Sequence, residues 1–193
     1  NDGFTDGFNV TEDAVPELVA AWRRFRPKCI FCYPSTMALV VRLARRHGID
    51  LQSMKQAGLQ MIITTAEILG PMREEIAEAF GVPVYDSYGL REVGLIAHDC
   101  PNRTMHAMEE QFILETVDPH TLEPTDGEGE LVVTSLISHP TPMIRYRTGD
   151  IVAMDDSPCP CGCTLRKMRL TGGRAVDFIV TRTGAWVSGY VFV

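Results

Sequence analysis

Three short apolar runs, at residues 28–33, 59–65 and 82–85, alternate with segments of helical periodicity. That alternation leaves the first half of the chain few folds to choose from. Thr11 stands ahead of Val15, Leu18, Val19, Trp22 and Phe25, which share one helical face, and its hydroxyl is placed to cap that helix; Pro27 ends it. Pro34-Ser35 opens a second helix through Met37, Leu39, Val40, Leu43 and Ala44, closed near Gly48. Pro71 and Gly81 bracket a third, carrying Met72, Ile76, Ala79 and Phe80. Strands alternating with helices of this length predict a mostly parallel, helix-covered sheet.

From about Leu95 the texture changes. Residues 112–117, 130–136, 143–146 and 151–154 read as short strands separated by Asp-Pro, Asp-Gly and Gly-rich turns. The fold class is therefore α/β: a parallel-sheet subdomain over residues 1–94, then an antiparallel β subdomain over 95–172, read as a small barrel. Residues 177–181 and 185–187 suggest a hairpin around Arg182-Thr183-Gly184.

A formal charge of −7 in 193 residues, with a pI near 5.2, argues against non-specific nucleic-acid binding and against an anionic membrane surface. No run of about 18 apolar residues and no basic leader is present, so neither a membrane span nor a signal peptide is predicted. The chain begins without Met and stops at Tyr190-Val191-Phe192-Val193 within an apparent strand, so both ends read as cuts. Six cysteines, three of them crowded into Cys159-Pro160-Cys161-Gly162-Cys163, suit metal ligation better than mutual pairing and favour a reducing, cytoplasmic setting. Cys29 and Cys32 lie within an apolar strand, on opposite faces, and read as core.

Three motifs follow in order: Tyr88-Gly89-Leu90-Arg91-Glu92, then Tyr146-Arg147-Thr148-Gly149-Asp150, then Gly173-Arg174. The first, running from Tyr85 to Glu92, leaves the third strand as a loop at its carboxyl end, where open α/β sheets bind ligands; alone it is equally a turn holding a packed Tyr. In the second, a carboxylate at a turn can accept both hydroxyls of a ribose. Together they resemble the nucleotide-site motifs of adenylate-forming enzymes, and the surrounding residues, from about Phe25-Arg26-Pro27 onward, resemble phenylacetate–CoA ligase and the related capsular-polysaccharide branch.

The resemblance implies a set of roles. Tyr88 stacks on adenine, while Tyr85, Asp86, Ser87 and the strand-end backbone through Gly89 contact its edge. Asp150 binds ribose, and Arg174 closes the nucleotide motifs. Glu92 associates with magnesium, which takes oxygen ligands and bridges to phosphate. Ala66-Glu67 forms a turn beside the adenine and acyl pocket; otherwise Glu67 is a carboxylate leading the helix at Pro71. Arg91 stands where most of the superfamily carries a phosphate-contacting hydroxyl. It either forks onto phosphate or turns into a salt bridge, and Arg91-Glu92-Val93-Gly94 resembles the polysaccharide branch.

Cys100, Cys159, Cys161 and Cys163 make a candidate structural zinc site, with His98 or His106 able to replace one cysteine, or else a loop of free thiols. The implied cofactors are ATP/AMP, Mg2+, CoA and structural Zn2+. The implied partners are a carboxylic acid, aromatic by the resemblance, and CoA or another thiol acceptor, with a homodimer as an option. The resemblance puts a hinge at Gly173-Arg174-Ala175-Val176-Asp177, opening a C-terminal domain at residues 173–193. The Ser/Thr/Gly-rich phosphate loop and the catalytic Lys of such enzymes have no match here, so the chain by itself is expected to be inactive. The alternative is a non-catalytic, zinc-stapled module that binds a nucleotide or a protein.

Overall fold

The computed structural model describes residues 10–174, 178–180 and 186–188, and the chain divides into two compact units, residues 1–88 and 89–193. The division falls at Tyr88/Gly89, earlier than the Gly94/Leu95 boundary drawn from the sequence.

The first unit runs α1 (Val15–Phe25), β1 (Cys29–Cys32), α2 (Pro34–Arg46), α3 (Ser53–Gln56), β2 (Met61–Thr65), α4 (Met72–Phe80) and into β3 (Val84–Leu90). The three strands are parallel in the order β1-β2-β3, with Cys29 opposite Met61 and Thr65 opposite Ser87. The sequence signals act much as read. Pro34 opens α2, and Gly81 closes α4 in the left-handed region at φ 67°. One differs: a 3-10 turn, Glu12–Ala14, precedes α1, so Thr11 serves that turn through its carbonyl, which accepts the Ala14 N–H at 3.1 Å, and its hydroxyl makes no cap.

The core of this unit is one apolar cluster that includes Val15, Val19, Met37, Val41, Met54, Ile62, Leu69, Ile76 and Phe80. Phe80 is fully buried against Trp22, ring centroids 6.3 Å apart and tilted by 47°. Truncating such a ring costs about 3–5 kcal/mol through lost transfer energy and the cavity left behind. The first strand is a correction. Cys29 and Cys32 are both expected in the core, yet Cys29 is exposed, as is Phe31 at 63%, because β1 ends the parallel trio and only its Ile30–Cys32 face packs inward. Burial, with Cys29 and Glu67 adding to it, pushes the Cys32 thiol up to about 12.

The second unit carries β4 (Gly94–Asp99), β5 (Met105–Ala107), β6 (Phe112–Val117), β7 (Glu128–Ser135), β8 (Tyr146–Asp155) and β9 (Lys167–Arg174). These form an antiparallel sheet in the order β4-β5-β9-β8-β7-β6. Alternation sets its faces: Phe112 and Leu114 are buried while Ile113, between them, is exposed. Ile96, Leu131, Val132, Val133, Val152 and Met168 are buried as well, and β7 is covered on both faces.

Two expectations change here. Of the run at 143–146 only Tyr146 is strand, and from it one strand, β8, runs through the intervening motif and 151–154 to Asp155, with a bulge between Asp150 and Val152. Among the described residues the sheet is open: β6 pairs only with β7, and the continuous pairing that closes a barrel is absent. The expected hairpin forms from β10 (Phe178–Val180) and β11 (Trp186–Ser188), while its Arg182-Thr183-Gly184 turn and the hinge residues Ala175, Val176 and Asp177 lie outside the described residues. No described helix is long and apolar enough to cross a membrane.

Candidate functional site

In the first unit the site is built where β2 ends at Thr65, opposite Ser87 of β3. Thr64, fully buried on β2, donates its hydroxyl to Asp86 Oδ1 at 2.8 Å. The Ser87 N–H donates to the same carboxylate oxygen at 3.1 Å, and the Ser87 hydroxyl donates back to the Thr64 carbonyl at 2.7 Å. This closed circuit fixes the Tyr85-Asp86-Ser87 backbone, and Tyr88 beyond it is buried. Thr64 had no role in the sequence reading. A hydroxyl inside an otherwise apolar strand was the available signal, since a buried hydroxyl needs a partner.

Ala66, just past β2, sits at φ 70°, a left-handed position that costs a residue with Cβ about 1–2 kcal/mol. Such strain persists where surrounding contacts fix the backbone, and Glu67 provides them. Its carboxylate accepts the Ser35 N–H at 3.0 Å and the Ser35 hydroxyl at 2.9 Å, holding the first turn of α2. The helix it serves is α2, not the α4 helix at Pro71 considered from sequence.

Corrected too is the Tyr-Gly motif, read as a loop. Strand β3 continues through Leu90, a turn occupies Arg91–Val93, and β4 begins at Gly94. Gly89 is required by contact: a Cβ there would meet the Gly94 carbonyl oxygen at 2.6 Å and the Leu95 Cα at 3.0 Å. Arg91 and Glu92 both stand exposed on the turn, and neither is drawn into an ion pair among the described residues.

In the second unit the Tyr146-Arg147-Thr148-Gly149-Asp150 motif works as a bracket around one carboxylate. Glu130 on β7 is only 2% exposed. It takes the Arg147 Nε–H on both oxygens, at 3.0 and 3.1 Å, with Arg147 Nη2 closing the fork. The Gly149 N–H reaches Glu130 Oε1 at 3.2 Å. That bond draws the Glu130 charge onto the motif backbone, where Gly149 turns at φ 78°. Thr148 donates its hydroxyl to the Leu131 carbonyl at 2.9 Å and accepts the Asp150 N–H at 3.1 Å. Every motif residue from Arg147 to Gly149 thus fixes the backbone that carries Asp150, itself 8% exposed. Asp150 stands opposite Arg174 in the β8–β9 register, so two separately predicted residues are cross-strand neighbours. Glu130 was missed from sequence; the signal was a carboxylate inside the apolar run of β7.

The cysteine cluster gathers differently from the predicted set. The ligand atoms that lie within 4.8 Å of one another belong to Cys100, His106, Cys159 and Cys161. Cys163 is not among them; its N–H donates to Cys161 Sγ at 3.4 Å, so its backbone and not its thiol faces the cluster. His98 lies elsewhere, with Nδ1 3.1 Å from the Asp99 carbonyl.

No protein-family model matches the chain. Among curated proteins it is 32% identical over 165 residues to the phenylacetate–coenzyme A ligase of Thermus thermophilus, covering 82% of this chain and 36% of that one. It is 34% identical over 168 residues to the enzyme of the same name from Escherichia coli, covering 83% and 37%. The chain belongs to the adenylate-forming superfamily. It spans a little over a third of the length of these relatives. Solved structures agree at the level of fold. A 2-hydroxyisobutyryl-CoA ligase crystallised with 2-HIB-AMP and CoA superposes with a TM-score of 0.75 at 24% identity, over 92% of this chain and 43% of that one. An anthranilate CoA ligase in complex with anthranoyl-AMP gives 0.66 at 18%, over 93% and 36%.

Proposed function

We propose that the protein to which these residues belong activates a carboxylic acid as its acyl-adenylate and transfers the acyl group to CoA. The observation that carries this reading is the bracketed Asp150. A carboxylate on a backbone fixed by the Gly149–Glu130 bond and by the Asp150 N–H on the Thr148 hydroxyl, in a sequence related to phenylacetate–CoA ligases, is suited to accept the two ribose hydroxyls of ATP. The strand-end circuit of Thr64, Asp86 and Ser87 gives a rigid backbone edge for adenine, with Tyr85 and Tyr88 alongside and Ala66-Glu67 at the neighbouring turn. Arg91 and Glu92 are exposed on one turn and leave a cation and an anion available for phosphate and magnesium. Magnesium, when bound, would neutralise the phosphates, and an oxygen ligand such as Glu92 suits it. The Gly173-Arg174 segment ends β9 opposite Asp150, in keeping with its reading as the last of the nucleotide motifs.

An aromatic acid is the favoured substrate class, since the curated relatives are named for phenylacetate. Arg91-Glu92-Val93-Gly94 favours the polysaccharide branch as the sequence setting. The test is pyrophosphate release from the whole protein with ATP, magnesium and a panel of aryl and alkyl acids, followed by thioester formation on adding CoA. Release with an aryl acid supports the reading. ATP or AMP binding without release from any acid refutes it and leaves a non-catalytic nucleotide-binding module.

A further inference from the structure

Outside the nucleotide residues, one cluster of reactive side chains has no part in the proposed chemistry. Cys100 follows β4 at the head of a tight turn, in which the Arg103 N–H donates to the Cys100 carbonyl at 2.8 Å. His106 lies on β5 and is 3% exposed. Cys159 and Cys161 sit in the connection between β8 and β9, where the Gly162 N–H donates to the Cys159 carbonyl at 3.0 Å. The chain therefore brings two tight turns together from 59 residues apart.

Two of the six spacings between the ligand atoms match a common centre, and all six lie within 4.8 Å. Four-coordinate zinc with Zn–S near 2.3 Å and Zn–N near 2.05 Å requires tetrahedral edges of about 3.8 Å between sulfurs and about 3.6 Å between sulfur and nitrogen. Cys100 Sγ and Cys159 Sγ are 3.9 Å apart, and Cys161 Sγ is 3.5 Å from His106 Nε2. A disulfide would need about 2.05 Å. The other nitrogen of the ring completes the argument. His106 Nδ1 lies 2.9 Å from the Leu165 carbonyl, which only accepts, so the neutral ring carries its proton there and turns the Nε2 lone pair to the sulfurs.

One backbone amide also faces the cluster: the Cys163 N–H donates to Cys161 Sγ at 3.4 Å.

We infer that Cys100, His106, Cys159 and Cys161 form a closed structural zinc site, with Cys163 as a backbone donor to it. All four donors are protein atoms, so no position remains for water or substrate. Its role is mechanical. The β5–β9 junction has one register pair, His106 with Lys167, beside which the Ala107 N–H donates to the Arg166 carbonyl at 2.9 Å, and the metal would fasten that short junction through one of its own residues.

The experiment is metal analysis of the chain purified without chelator, with X-ray absorption at the zinc edge. About one zinc per chain with three sulfurs and one nitrogen is expected. Cys161→Ser and His106→Gln should each lower stoichiometry to about 0.2 or less under mild chelator competition, while Cys163→Ser stays near one. A four-sulfur spectrum, or zinc lost in Cys163→Ser and kept in His106→Gln, overturns the ligand set. No zinc even after refolding with zinc and reductant, or a Cys100–Cys159 disulfide in its place, overturns the site. The absorption spectrum needs only the wild-type chain, so the ligand set is decided even if a variant fails to fold.

Discussion

Replacing Glu130 by Gln is the sharpest probe of how the second unit presents Asp150. The carboxylate accepts from Arg147 Nε on both oxygens, from Arg147 Nη2 and from the Gly149 N–H, while 2% exposed. A glutamine keeps the volume and one acceptor, but turns an NH2 toward a guanidinium that only donates. A hydrogen bond to a charged group contributes about 1.5–3 kcal/mol, and several would weaken together. Against that, the Arg147 side chain is 50% exposed and regains water when released, which removes much of the penalty of a stranded charge. The net for Glu130→Gln should be a loss of about 2 kcal/mol of stability, and for Glu130→Ala about 3 kcal/mol because a cavity is added. Urea unfolding followed by a probe in the β unit measures it. Asp150 should loosen at the same time, so nucleotide affinity should fall in Glu130→Gln under conditions where the variant is still folded. A Glu130→Gln chain within about 0.5 kcal/mol of the parent, binding nucleotide normally, would refute the bracket.

Gly89→Ala should destabilise by about 2 kcal/mol or more, since its Cβ would lie 2.6 Å from the Gly94 carbonyl oxygen, a backbone atom and not the end of a flexible side chain; thermal denaturation checks this. Lys167, helped by the Ser157 N–H, holds the Asp155 carboxyl at about 2, below its ordinary 3.8. A lowered folded value means stability that is present above the unfolded value and lost as pH falls, here between about 4 and about 2. Acid titration monitored by circular dichroism should show that loss, and Asp155→Asn should flatten it. In the whole protein, Glu92→Gln should depress pyrophosphate release strongly and leave the fold intact, because the residue is exposed on a turn; turnover equal to the parent would remove its proposed magnesium role.

The parallel half was legible because its signals are local. Pro34, Pro71 and Gly81 mark helix ends through their own backbone preferences, and the apolar periodicity supplied the faces. What escaped was pairing. Phe31 looks buried by composition and is exposed because β1 ends the trio, a fact of sheet order that a short run of residues does not encode. Likewise Tyr146-Arg147-Thr148-Gly149-Asp150 reads as a turn by its glycine, yet its partners on β7 keep it in a strand. Asp150 was legible as a motif, whereas Thr64 and Glu130, which hold the site residues in place, act across strands from positions that look like ordinary strand residues. The Cys/His cluster shows the same limit. Spacing pointed to Cys163, while only the tertiary placement of His106, whose Nε2 lies 3.5 Å from Cys161 Sγ, makes it the fourth member.

The claim on which the functional reading turns is that Asp150 holds the nucleoside, and calorimetric titration of the chain with AMP tests it most directly. Binding in the high micromolar range, roughly −5 to −6 kcal/mol, is predicted, with Asp150→Ala weakening it about tenfold or more. An Asp150→Ala chain that binds AMP as well as the parent, or a folded parent that binds none, would contradict it.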